Sequence, residues 1–465
     1  MRDTQYSRER HISSLASVPH SVLGSADTTG IANHARLAQC KLIASPDTPS
    51  PIRMPKTFYL VLVVQFISSI ADNAFLILAI GRTLELGNVE WLIPVLKMGF
   101  TLFYVVLAPF VGPLADALRK GHVMLLANIL KVIAMLILLS GAHPLMAIGI
   151  AGLGAAMYAP AKYGLITELL PAKDLVIANG YFEGVTVTAV IMGTALGGVL
   201  VSPMLTNSGA SQALSWFGAA QTRFVAGMFI LLILNSLATL LSIGVTDSGA
   251  RYGACTPHPI KLVQRFHREN LTLWLDRQGG LSMAVTTLIW GVGATLQLIV
   301  LRWATEALGL PLAQAAYLQG VTAVGVIAGA LAASKFVALA NAARVLPLGV
   351  ALGALVPLLL LVHSVTWAVV LLIIVGALAG FFVVPMNAML QHRGCTLLTA
   401  GRSIAVQGFN ENAGMLLMLC IYAATIALDI PLYPLIIGFG ILVACPMAIL
   451  YAVSKSTLPI AEPAM

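Results

Sequence analysis

From residue 58 onward the chain is a succession of apolar runs, each about as long as a membrane is thick, and this repetition constrains the fold more than any single motif. A helix crossing a hydrocarbon core needs about 20 mostly apolar residues, because about 30 Å is covered at about 1.5 Å per residue. Such runs fall at roughly 58–80, 91–115, 122–141, 144–167, 177–203 and 223–245, and again at 281–304, 311–336, 344–363, 366–391, 403–427 and 431–453. The chain has 465 residues, 59% hydrophobic and 9% charged, with a mean hydropathy of +0.92. That is too apolar for a soluble domain of this length. The expectation is an all-α membrane protein of twelve transmembrane helices in two pseudo-symmetric six-helix halves.

The expected organisation has five parts. Residues 1–55 are polar, rich in Ser, Ala and His, and hold no apolar run long enough to span or to serve as a signal core, so they read as disordered. An equally good reading takes Met54, directly before the first run, as the true start. Two six-helix halves follow at 56–245 and 281–455, joined by a polar cytoplasmic central loop at 246–280 and ended by a tail at 456–465. The halves resemble copies of each other. The fourth and fifth runs contain Gly152-Leu-Gly-Ala-Ala-Met-Tyr-Ala-Pro160 and Ala178-Asn-Gly180, while the tenth and eleventh contain Gly376 to Pro385 and Ala400-Gly-Arg402. Small residues followed by proline let helices approach and bend.

Charge sets the orientation. With the N-terminus inside, the cytoplasmic side receives Arg53, Lys56, Arg119, Lys120, Lys173, Arg251, Lys261, Arg265, Arg268, Arg277, Lys335, Arg344, Arg393, Arg402 and Lys455, against Arg82, Arg223 and Arg302 outside. The rule that positive loops stay inside then places both termini in the cytoplasm. The net charge of +8 comes with no basic face or aromatic nucleic-acid motif, so nucleic acid is not an expected partner. The five cysteines lack paired spacing, and neither a disulfide framework nor a metal site is expected. No P-loop is present, nor any histidine followed five residues later by aspartate, nor a G-x-S-x-G nucleophile elbow. Transport without ATP binding, cofactor or enzyme chemistry fits that pattern.

Charged and polar residues inside the runs are the candidates for function, because each charge at the bilayer centre costs at least about 2.5 to 3.5 kcal/mol and turns inward. In the first run Gln65, Ser68, Ser69 and Asp72 share one helical face, with Asn73 adjacent. Lys131 lies mid-run with no route to water and is a candidate for an anionic headgroup, whereas Lys97 is near enough to an end to snorkel. Tyr158 and Lys162 are one turn apart, Asn179 and Glu183 open the fifth run, and Gln407, Asn410, Glu411 and Gly414 repeat the theme in the eleventh. For each, a buried structural ion pair or polar bond competes with substrate contact. The loop Gly112-Pro-Leu-Ala-Asp116-Ala-Leu-Arg119-Lys120-Gly121-His122 resembles the major facilitator signature G-x-x-x-D-R/K-x-G-R/K, with its basic pair displaced by two residues.

Taken with Ala71-Asp72-Asn73-Ala74-Phe75, Ala108-Pro-Phe-Val-Gly112, Tyr158-Ala-Pro-Ala-Lys162-Tyr-Gly164, Gly380-Phe-Phe-Val-Val-Pro385-Met-Asn387 and Ile404-Ala-Val-Gln407 with Glu411-Asn412, the chain resembles the bacterial lysophospholipid transporter family. The resemblance runs from about Val63 to about Met447. It implies a major facilitator fold in the bacterial inner membrane. It implies a facilitator or flippase that moves lysophosphatidylethanolamine and lysophosphatidylglycerol to the cytoplasmic leaflet, where a partner acyltransferase/acyl-carrier-protein synthetase reacylates them. It places Asp72 and Lys162 in the polar core of the pathway and makes Asp116 a latch of the cytoplasmic gate. The polar residues inside the runs add Asn73, Lys131, Tyr158, Glu183, Asn387, Gln407 and Glu411 as candidate pathway residues, and the neighbouring charges add Arg119, Lys120 and Arg402 as candidate gate residues. Where the family pattern leads one to expect an arginine in the seventh run, this chain has Gln297, with Arg302 five residues on. Phe66, Phe75, Trp290, Phe381, Phe382 and Phe409 are candidates to line an acyl-chain path. A proton-coupled drug or metabolite exporter, in which Asp72 or Glu183 titrates, and a membrane scaffold that only docks an acyltransferase are the rival readings.

Overall fold

A computed structural model describes residues 54–85, 92–201, 219–250, 252 and 258–457. The N-terminal extension up to residue 53 and the last eight residues lie outside this set, as do Cys40, Cys255 and the Lys97 and Arg223 side chains. Every regular element described is helical. The first half consists of α1 (Lys56–Glu85), α2 (Leu92–Val106), α3 (Ala108–Ala117), α4 (Lys120–Leu139), α5 (Pro144–Leu169), α6 (Leu175–Val201) and α7 (Ala219–Ile243). Then come α8 (Pro259–Leu275), α9 (Arg277–Glu306), α10 (Leu312–Phe336), α11 (Leu346–Leu355), α12 (Val365–Leu397), α13 (Ala400–Ala427) and α14 (Leu432–Thr457). Eleven described helices are long and apolar enough to span, or twelve when the bent α2–α3 pair counts as one.

Proline explains the irregular spans. The second apolar run breaks at Leu107 into α2 and α3, bent by 65°, because Pro109 in the first turn of α3 has no N–H for the carbonyl four residues back and its ring crowds that carbonyl. The ninth run begins as α11 and passes into a 3-10 segment, Val356–Leu361, at Pro357. Pro160 and Pro385 sit inside α5 and α12, in matching places of the two halves.

The central segment departs from the loop expected of it. It contains α8, which buries Leu262, Phe266 and Leu273 against the bundle. These residues recur at helical spacing within a polar stretch, a pattern invisible to a search for long apolar runs. Asp276 joins α8 to α9 and accepts a bond from the Gly279 amide at 2.8 Å, capping the first turn of α9.

Within the first half α1 packs on α6 and α7, and α4 on α5 and α7; within the second, α10 packs on α12, α9 on α13, and α11 on α14. The α10–α12 contact is close enough that a Cβ at Gly329 would lie 1.9 Å from the Ala377 carbonyl oxygen. Two seams join the halves: α6 meets α10 and α12, and α13 meets α2, α3 and α5. The C-termini of α3, α5 and α12 and the N-termini of α4, α6 and α13 gather at one end of the bundle, here called the Asp116 end. Phe75 and Phe382 are 1% and 0% exposed in the apolar core, and Phe409 packs edge-on to Phe266 of α8. Those three of the expected path-lining aromatics are packing residues.

Candidate functional site

The polar stripe of α1 zips the first half together through side-chain bonds. Ser68 Oγ donates to Asn128 Oδ1 at 3.1 Å, and Asn128 Nδ2 donates to Ser242 Oγ of α7 at 3.0 Å. Lys131 of α4 is 2% exposed and places Nζ 2.5 Å from Asp72 Oδ2 and 2.9 Å from Ser68 Oγ. Its full burial explains why it needs a carboxylate: an unpaired ammonium there would cost several kcal/mol. Of the two readings open for Lys131, a headgroup contact and a buried ion pair, the structure shows the ion pair, with Asp72. Asn73 turns to its own helix and bonds the Ser69 carbonyl.

Lys162 behaves differently. It is 4% exposed, donates to Gln65 Oε1 at 3.0 Å, and sits with its ammonium 4.0 Å from the Tyr163 ring centroid, 5.5 Å from Phe182 and 5.7 Å from Tyr158. Gln65 is held in turn by donating to Ser69 and to Thr186 of α6. Among the described residues no carboxylate lies within 4 Å of Lys162, so Asp72 and Lys162, read together from the sequence, are not bonded to each other. The cluster of Asp72, Lys131 and Lys162 carries two cations and one anion. Cation–π contacts offset part of the missing charge at about 0.5–2 kcal/mol each. The Tyr158 hydroxyl is buried without a hydrogen-bond partner among the described residues.

Across the seam, α12 and α13 bring Asn387, Gln407 and Glu411 together. Gln407 Nε2 donates to Asn387 Oδ1 at 3.2 Å and to Glu411 Oε1 at 2.8 Å. Glu183 of α6 is half-buried and within electrostatic reach of Lys162 and Glu411. Gln297 and Arg302 are not part of this assembly. Gln297 is exposed, and Arg302 pairs with Glu306 at 2.7 Å and reaches the Ile430 carbonyl. The partner of Asp72 is Lys131, and neither residue supplies the arginine expected in the seventh run.

The Asp116 end is closed by bonds across both seams. Asp116 is 6% exposed. Its Oδ1 accepts from the Gly401 amide at 2.8 Å, and its Oδ2 accepts from Thr399 Oγ1, so the carboxylate sits on the N-terminus of α13, where free amides and the helix dipole favour an anion. Arg402 Nε lies 3.9 Å from Asp116 Oδ2, and Lys120 lies 3.7 Å from Oδ1 and 2.7 Å from Glu168. On the second seam Asn179 and Gln391 exchange paired amide bonds at 2.8 and 2.9 Å. Arg119 stays largely exposed and faces Asp247 at 3.8 Å.

The helix α8 bolts onto the same end. Glu269 lies 3.4 Å from Arg402, and burial pushes its carboxyl up against the pull of Arg402 and Arg265. Asn410 of α13 donates to Asn270 and accepts from Trp274 Nε1. Arg393 donates twice to Asp276, at 2.9 and 2.7 Å, and this pairing holds the Asp276 carboxyl below the usual carboxylate range. Glu168, Glu269, Thr399 and Asn128 were missed from the sequence. Asn128 stands three residues before Lys131 on one face, a spacing that could have found it. Thr399 and Glu269 are linked to Asp116 only by tertiary structure.

Close backbones make this end sensitive to bulk. A Cβ at Gly112 would lie 2.8 Å from the Ala405 Cβ and 3.0 Å from the Arg402 Cα. Gly112→Ala is therefore expected to part α3 from α13. Maleimide labelling of a Ser403→Cys reporter, in a background stripped of native cysteines, is expected to rise several-fold with unchanged membrane insertion. Unchanged labelling would mean that the seam absorbs the methyl group.

An apolar groove of about 610 Å³ opens where α2 and α5 meet α13, lined by residues that include Leu102, Phe103, Gly149, Leu153 and Leu416.

Comparison with known proteins extends this picture. A family model described as the Major Facilitator Superfamily matches residues 60–418. The lysophospholipid transporter LplT of Shigella flexneri is 38% identical over 392 residues, 84% of this chain and 94% of that protein. LplT of Yersinia enterocolitica is 37% identical over 372 residues, covering 80% and 87%. Among solved structures, the fucose:proton symporter FucP in the outward conformation aligns over 86% of this chain and 98% of its own with a TM-score of 0.66 at 13% identity. The human organic anion transporter MFSD10 aligns over 85% and 100% with a TM-score of 0.63 at 14% identity. These structures share the fold.

Proposed function

The chain belongs to the major facilitator superfamily, among the relatives of the lysophospholipid transporters, and from that premise we propose that it carries lysophospholipids, such as lysophosphatidylethanolamine and lysophosphatidylglycerol, across the bacterial inner membrane to the cytoplasmic leaflet. The observation that carries the reading is Lys162, a buried cation held by Gln65 and aromatic rings with no carboxylate within 4 Å among the described residues. A charge in that position is costly unless an anion completes it. A lysophospholipid phosphate is such an anion. The single acyl chain needs an apolar path, and the groove between α2, α5 and α13 supports one at the seam between the halves.

In this reading the protein is a secondary transporter and not an enzyme. The Asp116 end is cytoplasmic, since Arg119, Lys120, Lys173, Arg277 and Arg402 gather there, and both termini lie on that side. Reacylation falls to a separate acyltransferase/acyl-carrier-protein synthetase. Asp72 and Lys131 hold α1 against α4 behind the phosphate site, and the bonds at the Asp116 end form the cytoplasmic gate.

The test is uptake. Spheroplasts lacking this protein but keeping the acyltransferase are expected to fail to reacylate lysophosphatidylethanolamine added from outside, and the restored gene is expected to recover it. Undiminished uptake in the deletion strain would overturn the reading, and proton-linked dye efflux by the purified protein would favour an exporter.

A further inference from the structure

We propose that Glu411, Glu183 and the Gln407 side-chain oxygen form a cation-accepting subsite that binds the primary ammonium of an ethanolamine headgroup while Lys162 holds the phosphate. The inference rests on the lysophospholipid reading and adds headgroup selection to it.

The observation behind it is an unused acceptor. Gln407 is 6% exposed, both of its amide hydrogen bonds are made by the nitrogen, and its Oε1 is buried with no hydrogen-bond partner among the described residues. A buried amide oxygen left without a donor has lost its water and gained no partner in exchange. It is carried on the same amide that donates to Glu411 Oε1, so the free acceptor and the carboxylate share one face of α13. A side chain at Gly408, the next residue, would meet nothing within 4 Å. There is open space beside the pair.

The charges around this pair come from both halves. Lys162 and Glu183 lie in the first half and Glu411 in the second, with Glu183 in reach of both. Tyr163 lies in the field of both acids. Neither Glu183 nor Glu411 has a cation within 4 Å among the described residues. An ammonium carries three donors and one charge, and the subsite supplies carboxylates from two sides and a neutral acceptor. A phosphate two carbons from an ammonium matches the polarity running from Lys162 to Glu411. A glycerol headgroup offers hydroxyls but no charge to those acids.

The experiment compares lysophosphatidylethanolamine and lysophosphatidylglycerol uptake by the purified protein in proteoliposomes. Glu411→Gln is expected to lower the ratio of ethanolamine-lipid to glycerol-lipid uptake about tenfold or more. Glu183→Gln, in the other half, is expected to move the ratio in the same direction, so that a variant lost to misfolding does not decide the matter. In the unmutated protein, glycerophosphoethanolamine is expected to inhibit uptake of the ethanolamine lipid more strongly than glycerophosphoglycerol does. An unchanged ratio in both variants, or equal inhibition by the two headgroups, overturns the subsite. Absence of uptake of either lipid by the unmutated protein would instead overturn the transport reading.

Discussion

Lys131→Met is expected to reduce lysophospholipid uptake to background and to lower the stability of the detergent-solubilised protein by about 3–5 kcal/mol, the usual cost of removing one partner of a buried ion pair. Methionine keeps most of the length and apolar stem of lysine, so the change removes charge more than volume. It leaves the Asp72 carboxylate with no cation within 4 Å among the described residues, and it removes the donor to Ser68 that closes the α1–α4 contact. The double variant Asp72→Asn, Lys131→Met is expected to recover much of the lost stability, because neither charge is then stranded, while uptake stays low. Thermal unfolding of the two single variants and the double gives the coupling between the residues directly. Wild-type uptake by Lys131→Met would show that the pair has no part in transport.

This expectation differs from the one the sequence alone supports, and the difference shows what was legible. Apolar run length located the twelve spans to within a few residues because the bilayer imposes one length on every helix. Spacing along one helix likewise put Gln65, Ser68 and Asp72 on a common face. Partners across helices carry no such signature. Nothing in the sequence identifies Lys131 rather than Lys162 as the cation bonded to Asp72, since both are lysines inside apolar runs. The rotation and depth of α4 against α1 decide it. The same limit explains Arg302, which is near Gln297 in sequence but projects to Glu306 and the Ile430 carbonyl. It explains α8 as well, because an amphipathic helix on the bundle surface looks like a polar loop to a hydropathy scan, although Leu262, Phe266 and Leu273 mark its buried face.

Asp116→Asn is expected to open the gate by a factor of about ten to a hundred in the conformational equilibrium, with normal expression and insertion. For a partly exposed latch about 0.3 to 2 kcal/mol is the ordinary range. The structure buries it: the Asp116 side chain is 2% exposed, between Lys120 and Arg402 and under the Gly401 amide. Bonds to a buried carboxylate are worth about 1.5 to 3 kcal/mol, enough for that shift between two states. Asparagine keeps one acceptor oxygen of the same shape, so either Gly401 N–H or Thr399 Oγ1 keeps an acceptor. The charge facing Lys120, Arg402 and the α13 dipole is lost. Folding is little affected, because when the end opens these groups are released to water, not into lipid. The effect therefore falls on the ratio of closed to open forms. Labelling at Ser403→Cys is expected to accelerate by about the same factor as the equilibrium shifts, since reaction occurs from the open form. A companion variant, Asn179→Ala on the other seam, separates a local latch from a general loosening. It is expected to raise labelling at Ser403→Cys only if the two seams open together as one rigid-body movement of the halves. Equal labelling rates in Asp116→Asn and its parent would rule the latch out.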